Sequence, residues 1–502
     1  MTAPDPSTAA ESTAPRRLDP RTIVVRSLQS SPSLILAVPV VLAWSRGEGF
    51  PLGILIPGVA LLMTVTLFLG WLRWRVFTYS ILPGQIVIAH GLVKRTRRSI
   101  PAERIQDVSI KQGLLSRIFG LAEVRIETGG GEAEEGRLDS VSLSEAHRLR
   151  RVLREIRSGA GVGAEAGGDP EEAETLLFRI GVPRLVFSGL FRFSLVWIAA
   201  IFGLLQYLDP ALGYGWDYWL DMLGAAEQAW RSRLDAGILL GVVGLAIGLG
   251  LAAGIVRTVL RNFGFRLTHA GTRFRYRRGL LTRTEVAVAR RQIQLGLVER
   301  GAVSGRLGWR AFKVQTLGGG DEVSGRQELA PFARAAEIEP VIALAGLPPF
   351  EPSRLRAVSS WHAVSGLIGF VAAPAATMLA AAAFFPLAGL LLAALPVLLA
   401  VALLRRRCHR YGLAPTSVQV SRGVLIRRDW TIPYGNVQAV TVTRGPLQRR
   451  FGVATVRIDT AGGRGLNRPD VHDIDEGDAA AFVGDLVARA ESFRRAAPPN
   501  AG

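Results

Sequence analysis

The residues of this 502-residue chain best suited to metal or acid–base chemistry are six histidines and one cysteine, and their spacing argues against both uses. His90, His147, His269, His362, His409 and His472 are scattered one at a time. Cys408 stands beside His409 at the end of an apolar run, and two such ligands fall short of the four a structural zinc site needs. A lone cysteine also excludes an internal disulfide. No G-x-S-x-G, H-E-x-x-H or phosphate-binding loop occurs. Asp470 and His472 could form an acid–base or metal pair, but RPDVHDIDEGD reads better as an acidic surface loop that the other repeats lack. Glu132, Glu134 and Glu135 read the same way. Neither catalysis nor a cofactor is expected.

What remains is cationic. The formal net charge is +19, and much of it gathers in three stripes. The first is Lys94, Arg95, Arg97 and Arg98; the second is Arg273, Arg275, Arg277, Arg278 and Arg283; the third is Arg422, Arg427 and Arg428. Near an anionic inner leaflet such residues attract the surface by ~1 kcal/mol each. They serve equally well to set topology or keep the chain soluble. Nucleic-acid binding is set aside, because no nucleic-acid motif accompanies the charge.

The stripes sit in a unit that recurs three times. RIQDVSIKQGLLSRIFG at 104–120 returns as QIQLGLVERGAVSGRLG at 292–308 and NVQAVTVTRGPLQRRFG at 436–452. Its constant frame is Gln106, Gly113 and Gly120; Gln294, Gly301 and Gly308; Gln438, Gly445 and Gly452. Alternation places Gln106 with Val108 and Ile110 on one strand face, so the Gln is expected to satisfy backbone groups at a bend or sheet edge. Gly113, Gly301 and Gly445 are expected at a sharp reversal, and Gly120, Gly308 and Gly452 at a helix C-terminal cap. Between them, Leu115 and Phe119, Val303 and Leu307, and Leu447 and Phe451 are expected to pack on the sheet as one helical turn. A hairpin glycine, Gly91, Gly279 or Gly423, ends the first strand of each unit. Gly-rich runs at 129–131, 318–320 and 462–463 read as hairpin turns, and a helix closes the unit, with Leu149, Val152, Leu153 and Ile156 on one stripe.

Each unit follows apolar sequence. The chain is 49% hydrophobic with mean hydropathy +0.27, and a helical span takes ~20 apolar residues. Ser31–Trp44, Phe50–Trp71, Leu185–Leu208, Ala236–Leu260 and a run from Gly366 to Leu404 divided near Pro386 give six expected spans in three hairpins. Arg192 inside the third is expected to snorkel. Arg73, Arg75, Arg257, Arg261 and Arg405 to Arg407 follow the hairpins, which places both termini and the modules in the cytoplasm. Trp216, Tyr218, Trp219 and Trp230 suggest an interfacial segment outside.

The expected domains are a disordered tail 1–26, hairpin 27–72, module 73–158, linker 159–175, hairpin 176–260 with an outer segment 209–235, module 261–345, linker 346–362, hairpin 363–404, module 405–493 and tail 494–502. The fold class is thus an α+β multidomain integral membrane protein.

The run strand–G–L–V–x–R, I–P–x–x–R–I–Q–D–V and G–L–L–x–R–x–F–G over 91–128 resembles the bacterial pleckstrin-homology-like domain, type 2. Three such domains behind membrane hairpins resemble the YdbT-type membrane proteins. The second copy departs from the pattern: Ala289 stands where Pro101 and Pro433 do, and Trp309-Arg310 alters the last strand. The resemblance implies two curved sheets capped by a helix and supplies no activity. The expected function is a non-enzymatic integral membrane scaffold for a protein partner or self-association, in cell-envelope maintenance or stress. Anionic-lipid binding and a transport or lipid-handling role are the alternatives.

Overall fold

A computed structural model describes residues 15–30, 52–91, 94–128, 136–158, 174–192, 236–317, 326–384, 392–462 and 468–496. The chain divides into two compact units, one of 1–174, 179–266 and 275–287 and one of 175–178, 267–274 and 288–502.

In the third repeat, four strands come first: Arg356–Ala357, Arg410–Leu413, Ser417–Arg422 and Ile426–Pro433. Three more follow, Val437–Thr443, Val453–Thr460 and Val471–Asp475, and then the helix Glu476–Ala496. All pairings are antiparallel. Trp430, Val418, Val420, Tyr411 and Ile458 fill the core, and the helix closes it with Ala479, Phe482, Leu486 and Ala490. Those helix residues recur every three or four positions, which is what a single buried stripe requires.

The first repeat follows the same order. Arg16–Arg17, Thr78–Leu82, Gln85–His90 and Thr96–Pro101 form one sheet. Ile105–Gln112, Leu121–Thr128, Gly136–Ser142 and the helix Leu143–Ser158 complete it. Ile86, Ile88, Val108, Val124, Leu138, Leu149 and Leu153 share its core. The second repeat has its strands in that order too, ending in Trp309–Thr316, Arg326–Arg334 and the helix Ala335–Leu344.

The six-span architecture does not hold. Among the described residues, one helix is long and apolar enough by length and composition to cross a membrane, Trp361–Ala380. In two of the expected spans apolar composition was a poor guide to unbroken helix length. The helix Val182–Leu190 stops after 9 residues, just before Arg192. Leu395–Cys408 has 14 residues, about 21 Å at 1.5 Å per residue, against the ~30 Å of a bilayer core. The expected span Ser31–Trp44, the outer segment 209–235 and the Gly runs at 129–131 and 318–320 lie outside the described residues.

Two boundaries also move. The tail was expected to be disordered to residue 26, yet Arg16 pairs with Tyr79, Leu18 enters the core, and the Trp74 indole donates to the Leu18 carbonyl at 2.8 Å. The linker before the third repeat carries a strand, with Arg356 opposite Tyr411 and Leu355 and Val358 buried. Each repeat therefore begins before its apolar stretch, not after it. Strands of two to five residues carry no readable alternation, which is why the sequence hid them.

Candidate functional site

Successive repeats are joined strand to strand. The strand Ile105–Gln112 pairs antiparallel with Arg283–Ala289 of the next repeat, and Ile293–Gly301 pairs with Ile426–Pro433. The register is the same in both seams. Gln112 lies opposite Arg283 and Arg300 opposite Arg427. In each case the residue before the frame glycine meets the residue four after the hairpin glycine. Leu295 and Leu297 also enter the core of the third repeat, so the second seam is packed as well as hydrogen-bonded.

A carboxylate holds the same place in each seam, six residues after the hairpin glycine. In the second repeat it is Glu285, which pairs with Arg150 at 2.6 Å, Arg277 at 3.0 Å and Arg275 at 3.8 Å. Burial works to raise its pKa, but Arg150, then Arg277 and Arg275, hold the carboxyl below its ordinary range. In the third repeat it is Asp429, 4% exposed, which pairs with Arg300 and with Arg427 at 3.6 Å and accepts from the Ser421 hydroxyl at 2.6 Å. In the first repeat the place is taken by Arg97.

This divides the basic stripes. Arg275 also pairs with Glu174 at 2.5 Å, Arg278 is buried over the Tyr276 ring, and Arg428 pairs with Glu299 at 3.1 Å. Arg273 is half-buried. In the second and third repeats Arg275, Arg277, Arg427 and Arg428 thus face carboxylates, while Arg277 and Arg283 stay exposed. In the first repeat Lys94, Arg95, Arg97 and Arg98 are all exposed, and none has a carboxylate partner among the described residues. Arg97 and Arg98 lie on Thr96–Pro101, the outer strand of its sheet. A polar cleft lined by Arg26, Lys111, Glu123, Arg137 and Asp139 differs, because Arg26, Glu123, Arg137 and Asp139 pair among themselves at 2.5–3.1 Å.

The frame residues prove to be backbone devices. The register slips by one between Ile105 and Asp107, between Ile293 and Leu295, and between Val437 and Ala439, so Gln106, Gln294 and Gln438 each occupy a β-bulge. Gln294 is buried and Gln438 exposed. Gly113 and Gly445 cap short helices from extended backbone, and Gly301 occupies the matching place before a turn. Gly120, Gly308 and Gly452 have φ of 68°, 83° and 64°, the left-handed conformation of a helix C-terminal glycine. The apolar pairs between them do not pack inward: Val303, Leu307, Leu447 and Phe451 are exposed, and Leu115 and Phe119 are only half-buried. A helical turn of five residues is too short to turn both side chains onto the sheet.

The model of the bacterial PH domain matches residues 33–157, 193–345 and 366–490. The chain belongs to the bacterial PH domain family. It is also 25% identical over 260 residues to the UPF0699 transmembrane protein YdbT of Bacillus subtilis (strain 168), covering 50% of this chain and 51% of that protein. The match thus spans about half the length of that relative. No solved structure matches the chain.

The third PH domain holds a polar cluster that the scattered histidines concealed. Asp473, in a left-handed conformation at φ 54°, accepts from Gln448 at 2.7 Å and Ser365 at 3.1 Å and bonds His362 Nδ1 at 2.8 Å. The His409 ring lies 4.9 Å from that of His362 and 5.8 Å from that of His472, whose Nε2 accepts from Arg422 at 2.6 Å. His409 is fully buried with neither ring nitrogen bonded. Among the described residues no group could hold a metal ion. The cluster instead roots the apolar helix Trp361–Ala380 in the PH domain, helped by Trp361 stacked on Phe451 with ring centroids 3.6 Å apart. His362, His409 and His472 are far apart in sequence, and only the fold brings them together.

Proposed function

We propose that this chain is a non-enzymatic membrane scaffold that presents its PH domains at the cytoplasmic face for protein–protein interaction. The observation that carries the reading is the strand seam: twice, a domain accepts a foreign strand in one register with one complementary carboxylate. Such edges are binding surfaces in the same sense as peptide-augmented sheets. Membrane attachment is supported by the exposed apolar helix Trp361–Ala380 and by the likeness to the transmembrane protein YdbT. Arg73 and Arg75, Arg261, and Arg405 to Arg407 end apolar helices that adjoin the domains, which favours the cytoplasmic side. Crosslinking in native membranes followed by capture of the full chain tests this. Reproducible recovery of a partner or of a second copy is expected; recovery of neither sinks it.

A second reading rests on the free cations of the first repeat. Lys94, Arg95, Arg97 and Arg98 form an exposed basic edge suited to anionic lipid at the inner leaflet. Retention of a labelled anionic phospholipid by the detergent-solubilised chain should fall with salt and with all four residues changed to Ala. Equal retention after the change sinks this reading.

A further inference from the structure

Two of the three receiving strands are filled; the third is not. Val437–Thr443 is the outer strand of its three-stranded sheet, and among the described residues nothing pairs with its far side. The difference shows in exposure. Leu295, Gly296 and Leu297 of the filled second strand are buried, whereas Gln438, Ala439, Thr441 and Val442 are exposed. The open strand VQAVTVT carries no charge and four β-branched residues in its last four positions. Edge strands that stay unpaired are usually blunted by Lys, Arg or Pro. The outer strand Thr96–Pro101 of the first repeat is blunted in that way, with Arg97, Arg98 and a terminal Pro.

We propose that the Val437–Thr443 edge receives an extended strand of a partner protein that carries a carboxylate in the place of Asp429, paired antiparallel in the register of the two internal seams. The charges at the edge select the partner. Arg300, the residue before the frame glycine in the second repeat, pairs with the incoming Asp429. Arg444 holds the same place in the third repeat and pairs there only across the surface, with the exposed Glu476. The register puts the partner's residues opposite Thr443 and Val442 in the places of Arg428 and Asp429. The carboxylate thus arrives diagonally against Arg444, as Asp429 does against Arg300. A second copy offers the wrong charge. Its free strand Thr96–Pro101 would bring Arg97 to the place of the carboxylate, against Arg444. Like charges so placed disfavour pairing.

The inference deepens the scaffold reading, yet its test reads one strand edge directly, whereas membrane capture reads any partner. The probe is a labelled peptide of residues 424–433, VLIRRDWTIP, the strand that fills the equivalent edge of the second repeat. It is added to the detergent-solubilised full chain. Saturable binding is expected, weakened about tenfold by Arg444→Glu and by replacing the peptide's Asp with Arg, the latter leaving the protein untouched. In a Cys408→Ser background, Thr443→Cys should form a disulfide with a peptide carrying Cys in the place of Arg428 and not with one carrying it in the place of Arg427. No binding, or binding indifferent to both charge changes and to register, overturns the proposal. So does a Thr96→Cys, Thr443→Cys chain that crosslinks copy to copy and excludes the peptide, since the occupant is then a second copy.

Discussion

Arg300 of the second repeat reaches Asp429 of the third across a strand seam, and Asp429 is almost wholly removed from water. Arg427 and Ser421 complete its shell. Asp429→Ala is expected to lower stability by roughly 1.5–3 kcal/mol, because Arg300 and Ser421 lose a charged acceptor. A denaturant titration of the full chain checks this, and a change within a few tenths would show that the seam does not depend on the pair. Arg428→Ala should cost less, since Arg428 and Glu299 are both partly in water and Lys313 remains beside Glu299 at 2.9 Å.

The two glycine series should respond differently to alanine. Gly279 has φ 108°, and a Cβ there would lie 1.8 Å from the Thr282 carbonyl oxygen. Gly279→Ala is therefore expected to cost roughly 3 kcal/mol or more. Gly308 has φ 83° with open space around the Cβ, so Gly308→Ala should cost only the left-handed strain, about 1–2 kcal/mol. Thermal melts of the paired variants read the difference, and equal losses would contradict it.

Acid should loosen the third PH domain. Burial, then the neighbouring Arg422, pushes His472 down to about 4, and burial with His362, Arg422 and His472 pushes His409 lower than its ordinary value too. The unfolded chain then binds more protons than the folded one below the ordinary histidine pKa, so stability falls as pH drops from about 6.5 toward 4. Asp473 differs: burial acts to raise it, but hydrogen bonds from His362 and Gln448 hold it at about 2, so its contribution persists until below the ordinary carboxyl range. Denaturation midpoints should drop between pH 7 and 5, with a shallower slope in His409→Leu. An unchanged slope would place the proton uptake elsewhere.

Lipid retention, if the basic edge carries it, should discriminate between repeats. Lys94→Ala, Arg95→Ala, Arg97→Ala and Arg98→Ala together are expected to reduce anionic-lipid retention several-fold and to flatten its salt dependence. Arg427→Ala with Arg428→Ala should leave retention near wild type, because those guanidinium groups already face Asp429 and Glu299. The reverse ranking would assign the lipid to the third repeat.

The repeat, its strands and its closing helix were legible because they are local: alternation around Val124 and Ile126, or the stripe through Leu149 and Leu153, lies within one element. The seams were not, since pairing between repeats depends on register, which no single stretch encodes. One trace was visible all the same. The place six after the hairpin glycine reads Arg97, Glu285 and Asp429, acidic only where a preceding repeat waits to receive it. The spans were overread because hydropathy integrates composition and ignores where a helix breaks, as at Phe191. The histidine cluster was hidden by separation, since His362, His409 and His472 meet only after the strands around them have paired.

The short strand that opens each domain has a consequence for how the protein is made. Arg16–Arg17 waits for Thr78–Tyr79, and Arg356–Ala357 for Arg410–Tyr411, with the apolar stretch between them in the chain. A ribosome delivers the first strand, then the apolar segment, and only later the strand that completes the pair. Neither of these two domains can close its sheet until the whole intervening segment has been made, so closure comes late in the synthesis of each.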